Sequence, residues 1–467
     1  MAEESTMAGL SRRAVLRTLA AAASYPLAAS GGAPRPTIGI IGGGMAGVSL
    51  AWLLDGEHDV VLFESRESVG GNIRSVPVSL DGYEFAVDLG AQYFHPGPYP
   101  TYVKLLELLG LYPAGAHSFP ASITLGALGD QQPRFVSPIF PGRTWPVLAP
   151  WNWSGLQAFN VAFQAAKQRE QDDASWGLTL EEWLPTLGLN RDQWEGMVLP
   201  WAASLFSGQI DEARGMSARA AMIFAAKALP DRLTDPLLYY VLNEGMVEPL
   251  RLMIGQCSTV EILTRARVAL VERETGGEFR IACVDGRAAS VDQVVFASSG
   301  PPTLALLGGL QGTWAQRAAL QGIVFRDARL ALHTDPLYAS ADSKVWSFLN
   351  AGIHVGLCEA SMWMADVLSS VPKETAGKLW KSWVTDRIVQ PAQVLAEARF
   401  RHMLPTPATL AAQRILMTLQ GQDSIWFAGG YTRPYDSQET ALVSALGVAQ
   451  GLGAKSERMR LLEQRAG

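Results

Sequence analysis

Cysteine is scarce in this chain of 467 residues, and its three cysteines, Cys257, Cys283 and Cys358, stand far apart. No two of them form a CxxC pair, which argues against a zinc ribbon and a thioredoxin-like site. Their odd number also excludes a framework in which every cysteine is paired in a disulfide. A metal site has no support either, because the six histidines are scattered without an HxxxH or HExxH pair.

Charge is scarce as well, since only 18% of the residues are charged and the formal net charge is -6. A nucleic-acid binder needs a basic stripe to meet phosphates, so we expect no nucleic-acid partner. The 14 tryptophans and the low charge argue against general disorder. The length exceeds what one compact core usually holds, which predicts more than one domain or a domain with large insertions.

Long apolar runs are missing beyond the first segment of the chain. Residues 1–33 combine the pair Arg12-Arg13 with a short Ala/Leu stretch and small residues up to Ala33. This order resembles a twin-arginine signal, which predicts export to the periplasm or the extracellular space. The alternative is a cytoplasmic tail with a chance arginine pair. Because no other run reaches 18 apolar residues, we predict no transmembrane helix.

The glycine-rich segment after this leader carries the strongest chemical signal. The β-branched run Thr37–Ile41 leads into Gly42 to Gly47, a GxGxxG match, and then into an apolar helical pattern. A second strand pattern, Asp59–Phe63, ends at Glu64. In such a unit the glycines permit a tight turn and close approach of a pyrophosphate, while the acid accepts hydrogen bonds from a ribose diol. The sequence therefore predicts dinucleotide binding, with phosphates at the helix N-terminus.

The residues after Glu64 indicate which dinucleotide binds. The run Gly70-Gly71-Asn72-Ile73-Arg74-Ser75 resembles part of the FAD-binding N-terminus of the flavin amine oxidase superfamily. That group includes monoamine and polyamine oxidases, L-amino-acid oxidases, protoporphyrinogen oxidase and phytoene desaturase-like enzymes. Five later segments resemble the same group: Asp88–Phe94, Gly245–Leu250, Ala266–Val271, Val291–Ala297 and Ile425–Gly430. The last has Gly430 where the group usually has Glu, and Glu244 replaces the first glycine of the second.

The resemblance implies an α/β fold with a Rossmann-like FAD-binding domain built from separated segments, plus an α+β substrate domain. The FAD-binding domain would comprise residues 34–95, 236–300 and 416–467, and the substrate domain residues 96–235 and 301–415. Within the substrate domain, Val324–His333 has a strand pattern. The stretches Gly155–Lys167, Ser217–Leu229 and Ala376–Ile388 have helical patterns.

The resemblance also implies which residues contact FAD. They are Gly42, Gly44, Met45, Ala46, Gly47, Glu64, Ser65, Gly70, Gly71, Asn72, Arg74, Gly90, Ala91, Gln92, Val268, Ala297, Gly429, Gly430, Glu439, Thr440 and Ala441. We expect the cofactor to be bound non-covalently, because no cysteine follows Cys358, in the region where some relatives tether the flavin.

The C-terminal motif ends in a predicted helix. Asp436-Ser437-Gln438-Glu439 indicates a capping box, with Asp436 as the cap and Glu439 three residues later. By resemblance, this helix N-terminus would face the pyrimidine edge of the flavin and favour its anionic reduced form. The alternative is an ordinary capped terminal helix.

The catalytic candidates depart from the resemblance in two places. Arg329 stands where many relatives have a lysine beside the flavin, and it would bind a substrate carboxylate or orient a water rather than act as a base. The alternative is a surface or salt-bridged arginine. Ser437 stands where amine oxidases often have an aromatic residue, with Tyr431 and Tyr435 nearby in the loop. These departures leave amine oxidation open within the group.

Tryptophan and histidine side chains are further candidates for the substrate pocket. Trp346 is the preferred pocket tryptophan because it follows the strand of Arg329, although core packing is the simpler reading for any single tryptophan. His95 and His333 are candidate proton carriers, with a structural role as the alternative.

The sequence thus predicts an FAD-dependent oxidoreductase that removes a hydride from an amine-bearing or apolar small molecule. Oxygen or another acceptor would reoxidise the flavin. The alternatives are a desaturase- or isomerase-like flavoenzyme acting on a hydrophobic substrate, and a flavin-binding accessory protein without turnover.

Overall fold

The computed structural model describes residues 35–127, 130, 132–138, 143–206, 208–230 and 237–463. The predicted export signal, residues 1–33, lies outside these ranges. None of the described helices has both the length and the hydropathy needed to cross a membrane.

The described residues form strands, which are numbered in chain order. They are β1 (Thr37–Ile41), β2 (Asp59–Phe63), β3 (Ser75–Leu80), β4 (Tyr83–Asp88), β5 (Ala116–Pro120), β6 (Ile123–Ala127), β7 (Phe135–Ser137), β8 (Leu238–Leu242), β9 (Val260–Leu263), β10 (Val268–Arg273), β11 (Phe279–Cys283), β12 (Ala288–Val291), β13 (Gln293–Phe296), β14 (Phe325–His333), β15 (Leu349–His354), β16 (Leu357–Trp363), β17 (Trp380–Trp383), β18 (Val394–Met403) and β19 (Ile425–Phe427).

The α-helices are numbered in the same way. They are α1 (Met45–Leu54), α2 (Pro100–Leu108), α3 (Thr144–Leu148), α4 (Trp153–Gln171), α5 (Leu180–Trp183), α6 (Arg191–Gln193), α7 (Leu199–Ser204), α8 (Ile210–Arg214), α9 (Ala218–Ala221), α10 (Ile223–Ala228), α11 (Glu248–Gly255), α12 (Gly300–Leu307), α13 (Trp314–Gln321), α14 (Lys373–Ala376), α15 (Pro407–Thr418), α16 (Gln438–Gly451) and α17 (Glu457–Glu463).

A five-stranded parallel sheet has the order β19-β13-β1-β2-β9. The last four residues of β1 and of β2 are buried, as expected for parallel strands covered on both faces. Every residue of α1 is buried, because this helix lies between the sheet and α16. The strands come from widely separated parts of the chain, which confirms the predicted α/β fold built from separated segments.

A seven-stranded mixed sheet has the order β18-β14-β17-β16-β15-β6-β7. Side chains at paired positions lie on the same face of a sheet. We call the face that carries Leu330, Trp383 and Phe400 the front face, and the face that carries Arg329 and Ser382 the back face. The front face packs against α4, α7 and α9 in the largest apolar cluster of the described residues.

One predicted helix is wrong, because the stretch from Ala376 to Ile388 contains β17. Trp380 and Ser382 lie on the back face, whereas Lys381 and Trp383 lie on the front face. This alternation follows the period of two in a strand, and pairing with β14 and β16 stabilises it over the helical pattern.

Candidate active site

The turn between β1 and α1 requires glycine for two reasons. Gly42 has a φ of +118°, in the left-handed region that favours glycine. A Cβ on Gly47 would overlap the carbonyl oxygen of Gly42, so the helix packs directly on the turn. This packing places the free N–H groups of the helix N-terminus at the carboxyl edge of the sheet, where they can bind a phosphate.

Glu64 follows β2 and has a buried carboxylate held by three donors. Its Oε2 accepts a hydrogen bond from the Gly43 N–H at 2.8 Å, and its Oε1 accepts from the Arg66 N–H at 2.8 Å. The Ser65 hydroxyl donates to Oε1 at 3.1 Å. These bonds orient the carboxylate beside the glycine turn and leave lone pairs for a ligand diol.

Two loops between the sheets form a second wall of the site. Gly71 has a φ of +62°, and its carbonyl oxygen accepts a hydrogen bond from the Arg66 guanidinium at 2.7 Å. A Cβ on Gly90 would overlap the carbonyl oxygen of Asn72, which also accepts from the Ala91 N–H at 3.1 Å. Gly71 and Gly90 therefore permit one backbone segment to pass close to another.

The ends of β1, β2, β13 and β19 meet these loops around a cavity of about 790 Å³. A volume of this size is within the range of small-molecule and cofactor sites. The predicted cofactor positions that line it are Gly42, Gly44, Met45, Ala46, Glu64, Ser65, Gly70, Gly71, Asn72, Gly90, Ala91, Val268, Ala297, Gly429, Gly430 and Ala441. Motifs from the N-terminal and C-terminal parts of the chain thus line the same cavity.

Three other predicted cofactor positions lie behind this surface. Gly47 packs on the turn, as described above. The Arg74 guanidinium lies over the Phe400 ring, 5.1 Å from its centroid. The Gln92 side-chain oxygen accepts a hydrogen bond from the Lys381 ammonium. These three residues are not among those that line the cavity, Arg74 Nε has no hydrogen-bond partner among the described residues, and a contact of the three with FAD stays a prediction.

The start of α16 also differs from the expectation. The cap is Ser437, which exchanges hydrogen bonds with Thr440, so the predicted box from Asp436 to Glu439 is wrong by one residue. The Glu439 carboxylate accepts from the N–H groups of residues 101–102 at 3.1 and 2.7 Å, and so holds the start of α2. Glu439 and Thr440 therefore have structural partners and do not line the cavity.

Arg329 lies on the back face, away from the cavity. In the pairing of β14 with β18, Arg329 is opposite Arg399, whereas Ala328 is opposite Phe400 on the front face. The Arg329 guanidinium donates to the Val384 carbonyl oxygen at 3.3 Å. The structure therefore corrects the catalytic assignment of Arg329, because the strand alternation directs its side chain away from the ligand space.

Trp346 also belongs to the back face. Its ring centroid lies 5.5 Å from that of Trp363 and 5.0 Å from that of Trp380, with edge-on geometry in both pairs. Its indole N–H donates to the Ser340 carbonyl oxygen at 2.6 Å. Trp346 is thus a packing residue and not a wall of the cavity, which corrects its assignment as a pocket residue.

The two loop tyrosines have different positions. Tyr431 lines the cavity, with its hydroxyl 3.5 Å from the Phe296 carbonyl oxygen. Tyr435 is buried beside the cavity and packs edge-on against Phe224, with 5.6 Å between centroids. Burial raises the pKa of both hydroxyls above the usual range, so both tyrosines are neutral.

The two candidate histidines lie outside the cavity wall. Burial lowers the pKa of His95 and of His333 to about 4. The His95 ring packs on Tyr239 at 5.5 Å, and His333 Nε2 is 2.8 Å from the Ser382 hydroxyl oxygen. Both contacts are those of neutral structural rings.

An aromatic wall closes one end of the cavity, and sequence reasoning missed it. It consists of Phe325, Trp383, Phe400 and His402, which come from three adjacent strands. The Trp383 and His402 ring centroids are 5.2 Å apart. Burial lowers the pKa of His402 to about 4, and its Nε2 has no hydrogen-bond partner among the described residues. The alternation of Phe400 and His402 along β18 is a detectable signal, but its face is set by the pairing with β14.

A buried lysine supports the loop of Gly90 from the front face. The Lys381 ammonium donates to the Asp88 carbonyl oxygen at 3.1 Å and to the Gln92 side chain, and it lies 4.8 Å from the Tyr93 ring centroid. Burial lowers the pKa of Lys381 to about 7, opposed by the nearby Asp88 carboxylate. Lys381 therefore links the seven-stranded sheet to the wall that contains Gly90.

The arrangement fits a dinucleotide that carries a ring system. An oriented acid and a helix N-terminus stand at one end, and an aromatic wall with an unpaired ring nitrogen stands at the other. The N–H groups of Gln438 and Glu439, in the first turn of α16, have no intrahelical acceptors, so a second positive helix end points toward the lining residues.

Comparison with known proteins agrees with this geometry. The profile of the flavin containing amine oxidoreductase family matches residues 45–322. A putrescine oxidase structure superposes with a TM-score of 0.63 at 13% identity, covering 90% of this chain and 99% of that one. A putative protoporphyrinogen oxidase from Exiguobacterium sp. gives 0.61 at 16% identity, covering 91% and 100%. A fatty acid isomerase from P. acnes gives 0.62 at 14% identity, covering 89% and 98%.

At these identities the likeness shows the fold, and a comparison with curated protein sequences finds no match. The family profile spans more than half of the chain and includes Glu64 and the Gly90 loop. The chain therefore belongs to the flavin containing amine oxidoreductase family and is a flavin-dependent oxidoreductase.

Proposed function

We propose that the cavity binds FAD non-covalently and that the enzyme removes a hydride from a small molecule that is amine-bearing or apolar. The observation that carries this proposal is the continuity of one cavity from Glu64 to the aromatic wall. Non-covalent binding is supported because no cysteine is among the described residues that line it. Bound FAD would supply the hydride acceptor.

The protein's own groups would hold and tune this cofactor. The Glu64 carboxylate accepts hydrogen bonds from a ribose diol, and the N-terminus of α1 binds the phosphates. The free N–H groups at the start of α16 stabilise negative charge on the electron-rich edge of the ring system. Trp383 and Phe400 exclude water from the reacting end, which strengthens these electrostatic interactions.

The substrate preference rests on the aromatic wall. A neutral His402 and three other aromatic side chains offer an apolar contact area, and His402 Nε2 has no hydrogen-bond partner among the described residues. A second candidate function is favoured by Ser437, since its hydroxyl caps α16 where an aromatic cage residue would be expected. That alternative is a desaturase- or isomerase-like reaction on a hydrophobic substrate, and the likeness to the fatty acid isomerase supports it at the level of fold.

An anaerobic titration tests the proposal. The purified protein should be yellow, and acid precipitation should leave the flavin in the supernatant. Amines are added first, and hydrophobic alkenes and fatty acids are added separately. A compound that the enzyme oxidises should bleach the flavin band. Readmitted oxygen should restore the band, either with or without release of peroxide. An isomerisation returns the hydride to the substrate and leaves no net bleaching, so the alkenes and fatty acids are also analysed for isomerised products. Absence of both bleaching and an isomerised product would favour an accessory protein without turnover. A colourless protein that does not take up FAD would contradict the proposal.

We also propose that the folded, FAD-loaded protein is exported, and that oxygen or another acceptor reoxidises it outside the cytoplasm. The support is the Arg12-Arg13 pair and the short apolar stretch that follows it. Cell fractionation of the full chain and of an Arg12→Lys/Arg13→Lys variant tests this proposal. Wild-type protein that stays in the cytoplasm would contradict it.

A further inference from the structure

Asp436 places a carboxylate on the wall of the cavity. It follows the loop after β19 and immediately precedes the Ser437 cap. Its side chain lies across Gly430, and a Cβ on Gly430 would overlap Asp436 Oδ1. Both residues line the cavity, as do the glycine turn after β1 and the aromatic wall. The absence of a side chain at residue 430 therefore leaves room for this carboxylate.

The carboxylate accepts no hydrogen bond from the described residues, although its surroundings contain several donors. The Arg433 guanidinium is directed to the Val443 carbonyl oxygen at 3.5 Å, and the Gln438 amide donates to the Tyr93 carbonyl oxygen at 3.3 Å. The Tyr431 hydroxyl points to the Phe296 carbonyl oxygen.

No charge offsets the burial of Asp436. The Glu439 carboxylate is turned toward α2, and the Glu64 carboxylate is held by the β1 turn. Tyr435 and Tyr99 are buried and neutral. Burial alone therefore raises the pKa of Asp436 to about 6. Asp436 is half-buried and has no hydrogen-bond donor among the described residues, so a ligand that supplies donors will bind here favourably.

We propose that Asp436 is a cofactor-binding residue whose ionised carboxylate accepts hydrogen bonds from hydroxyl groups of the polyol chain of FAD. This inference rests on the proposed function. A carboxylate is an acceptor only, so it repels phosphate and selects a hydroxyl or ammonium donor. Asp436 lines the same cavity as the glycine turn and the aromatic wall, and the part of FAD that joins its phosphates to its ring system is the chain that carries hydroxyl groups.

The affinity for FAD provides the first test. Holoprotein is diluted, and FAD release is followed by the rise in flavin fluorescence for wild type, Asp436→Asn and the matched control Asp192→Asn. Asp192 is an exposed carboxylate far along the chain from the cavity motifs. We expect the Kd of Asp436→Asn to rise about tenfold to a hundredfold, as for a lost hydrogen bond to a charged group, and that of Asp192→Asn to stay unchanged.

The pH dependence and a double-mutant cycle sharpen this test. The wild-type affinity should fall as the pH drops through about 6, since a protonated Asp436 loses its charge, whereas Asp436→Asn should lack this step. Gly430→Ala should weaken FAD binding in the wild type, because its Cβ displaces the carboxylate. The same change should have little effect in an Asp436→Ala background, where the overlapping oxygen is gone.

The outcomes separate the two proposals. Wild-type protein that binds FAD, together with an Asp436→Asn variant within twofold of it, would overturn the inference and leave the proposed function intact. An equal effect of Gly430→Ala in both backgrounds would overturn the link between the two residues. Unchanged FAD affinity with a raised KM for amines would assign the carboxylate to a substrate ammonium instead and overturn the polyol assignment. Wild-type protein that binds no FAD would overturn both proposals.

Discussion

The two faces of the seven-stranded sheet use the same strands for different purposes. On the front face, Trp383, Phe400 and His402 border the cavity, and Lys381 supports one of its loops. On the back face, polar side chains form hydrogen bonds with one another. His333 bonds to Ser382, Ser382 donates to Ser361, and the Arg387 guanidinium bonds to Ser361 and the Glu359 backbone.

The difference concerns what the side chains of each face contact. The back-face charges are paired, with Arg387 Nε 3.4 Å from Glu359 Oε2 and the guanidinium 3.6 Å from the Tyr338 ring centroid. On the front face, His402 Nε2 lacks a partner among the described residues. Buried atoms without a hydrogen-bond partner occur on both faces, since Glu359 Oε2 and Arg329 Nε on the back face also lack one among the described residues. The faces differ because front-face side chains border the cavity, whereas back-face side chains contact other protein groups. Substitutions on the two faces should therefore separate binding from stability.

The largest expected effect is on the back face. Glu359→Ala should lower the free energy of unfolding by about 3–5 kcal/mol, because it leaves the buried Arg387 without its counter-charge. Burial raises the pKa of Glu359 to about 7, so urea denaturation is best measured at pH 8, where the carboxylate is ionised. FAD affinity in the folded fraction should not change. The exposed Glu374→Ala is the control. A Glu359→Ala variant as stable as the wild type would contradict the stabilising role of the Glu359–Arg387 pair.

Lys381 should give the front face a characteristic dependence of stability on pH. The pKa of Lys381 is lowered to about 7 in the folded protein, and the unfolded lysine has a pKa of about 10.4, so the unfolded state binds more protons between these values. Stability should therefore rise with pH across this window, with a slope of up to about 1.4 kcal/mol per pH unit. In urea denaturation at pH 7, 8 and 9, Lys381→Met should lower this slope relative to the wild type, and the exposed Lys378→Met should leave it unchanged. An unchanged slope in Lys381→Met would contradict the burial of a titrating lysine.

A smaller effect separates two tryptophans on opposite faces. Trp383→Ala removes part of the aromatic wall and should lower kcat/KM for the identified substrate about tenfold, equivalent to about 1.4 kcal/mol. Trp346→Ala should lower the melting temperature but leave kcat/KM of the folded enzyme within about twofold, because its contacts are with other back-face tryptophans. A loss of kcat/KM in Trp346→Ala but not in Trp383→Ala would place Trp346, and not Trp383, beside the substrate.

The smallest effect is expected for Arg329. Its guanidinium is half-buried on the back face, so Arg329→Ala should change the free energy of unfolding by no more than about 0.5 kcal/mol. Flavin affinity and the pH profile of the reaction should match the wild type, as measured by flavin fluorescence and steady-state kinetics. A selective loss of activity in Arg329→Ala would indicate that Arg329 acts in the active site.

The cofactor end was predictable because its signals are local. The strand, the glycine turn, the helix and Glu64 are within 30 residues, and each residue acts through its own backbone or its nearest neighbour. The reacting end was not predictable in the same way. A shift of one residue separates Arg329 from Ala328, and alternation in sequence does not say which face meets a ligand.

The start of α16 shows the same limit on a smaller scale. Asp436 and Glu439 have the spacing of a capping box, and so do Ser437 and Thr440. The second pair forms the box because α2 supplies N–H groups to Glu439 and Gly430 leaves room for Asp436. Those neighbours come from other parts of the chain, so sequence spacing alone could not decide between the two pairs.

The sequence by itself determined the glycine turns, the acid after β2 and the order of the motifs that mark a flavin-dependent oxidoreductase. It could do so because tight turns and close backbone approach depend on which residues lack a Cβ. Only the tertiary structure decided that Trp383 and His402 border the cavity, that Arg329 and Trp346 do not, and that Asp436 stays without a protein partner. Those outcomes depend on strand register and on contacts between distant segments, and each depends on the packing of the whole fold.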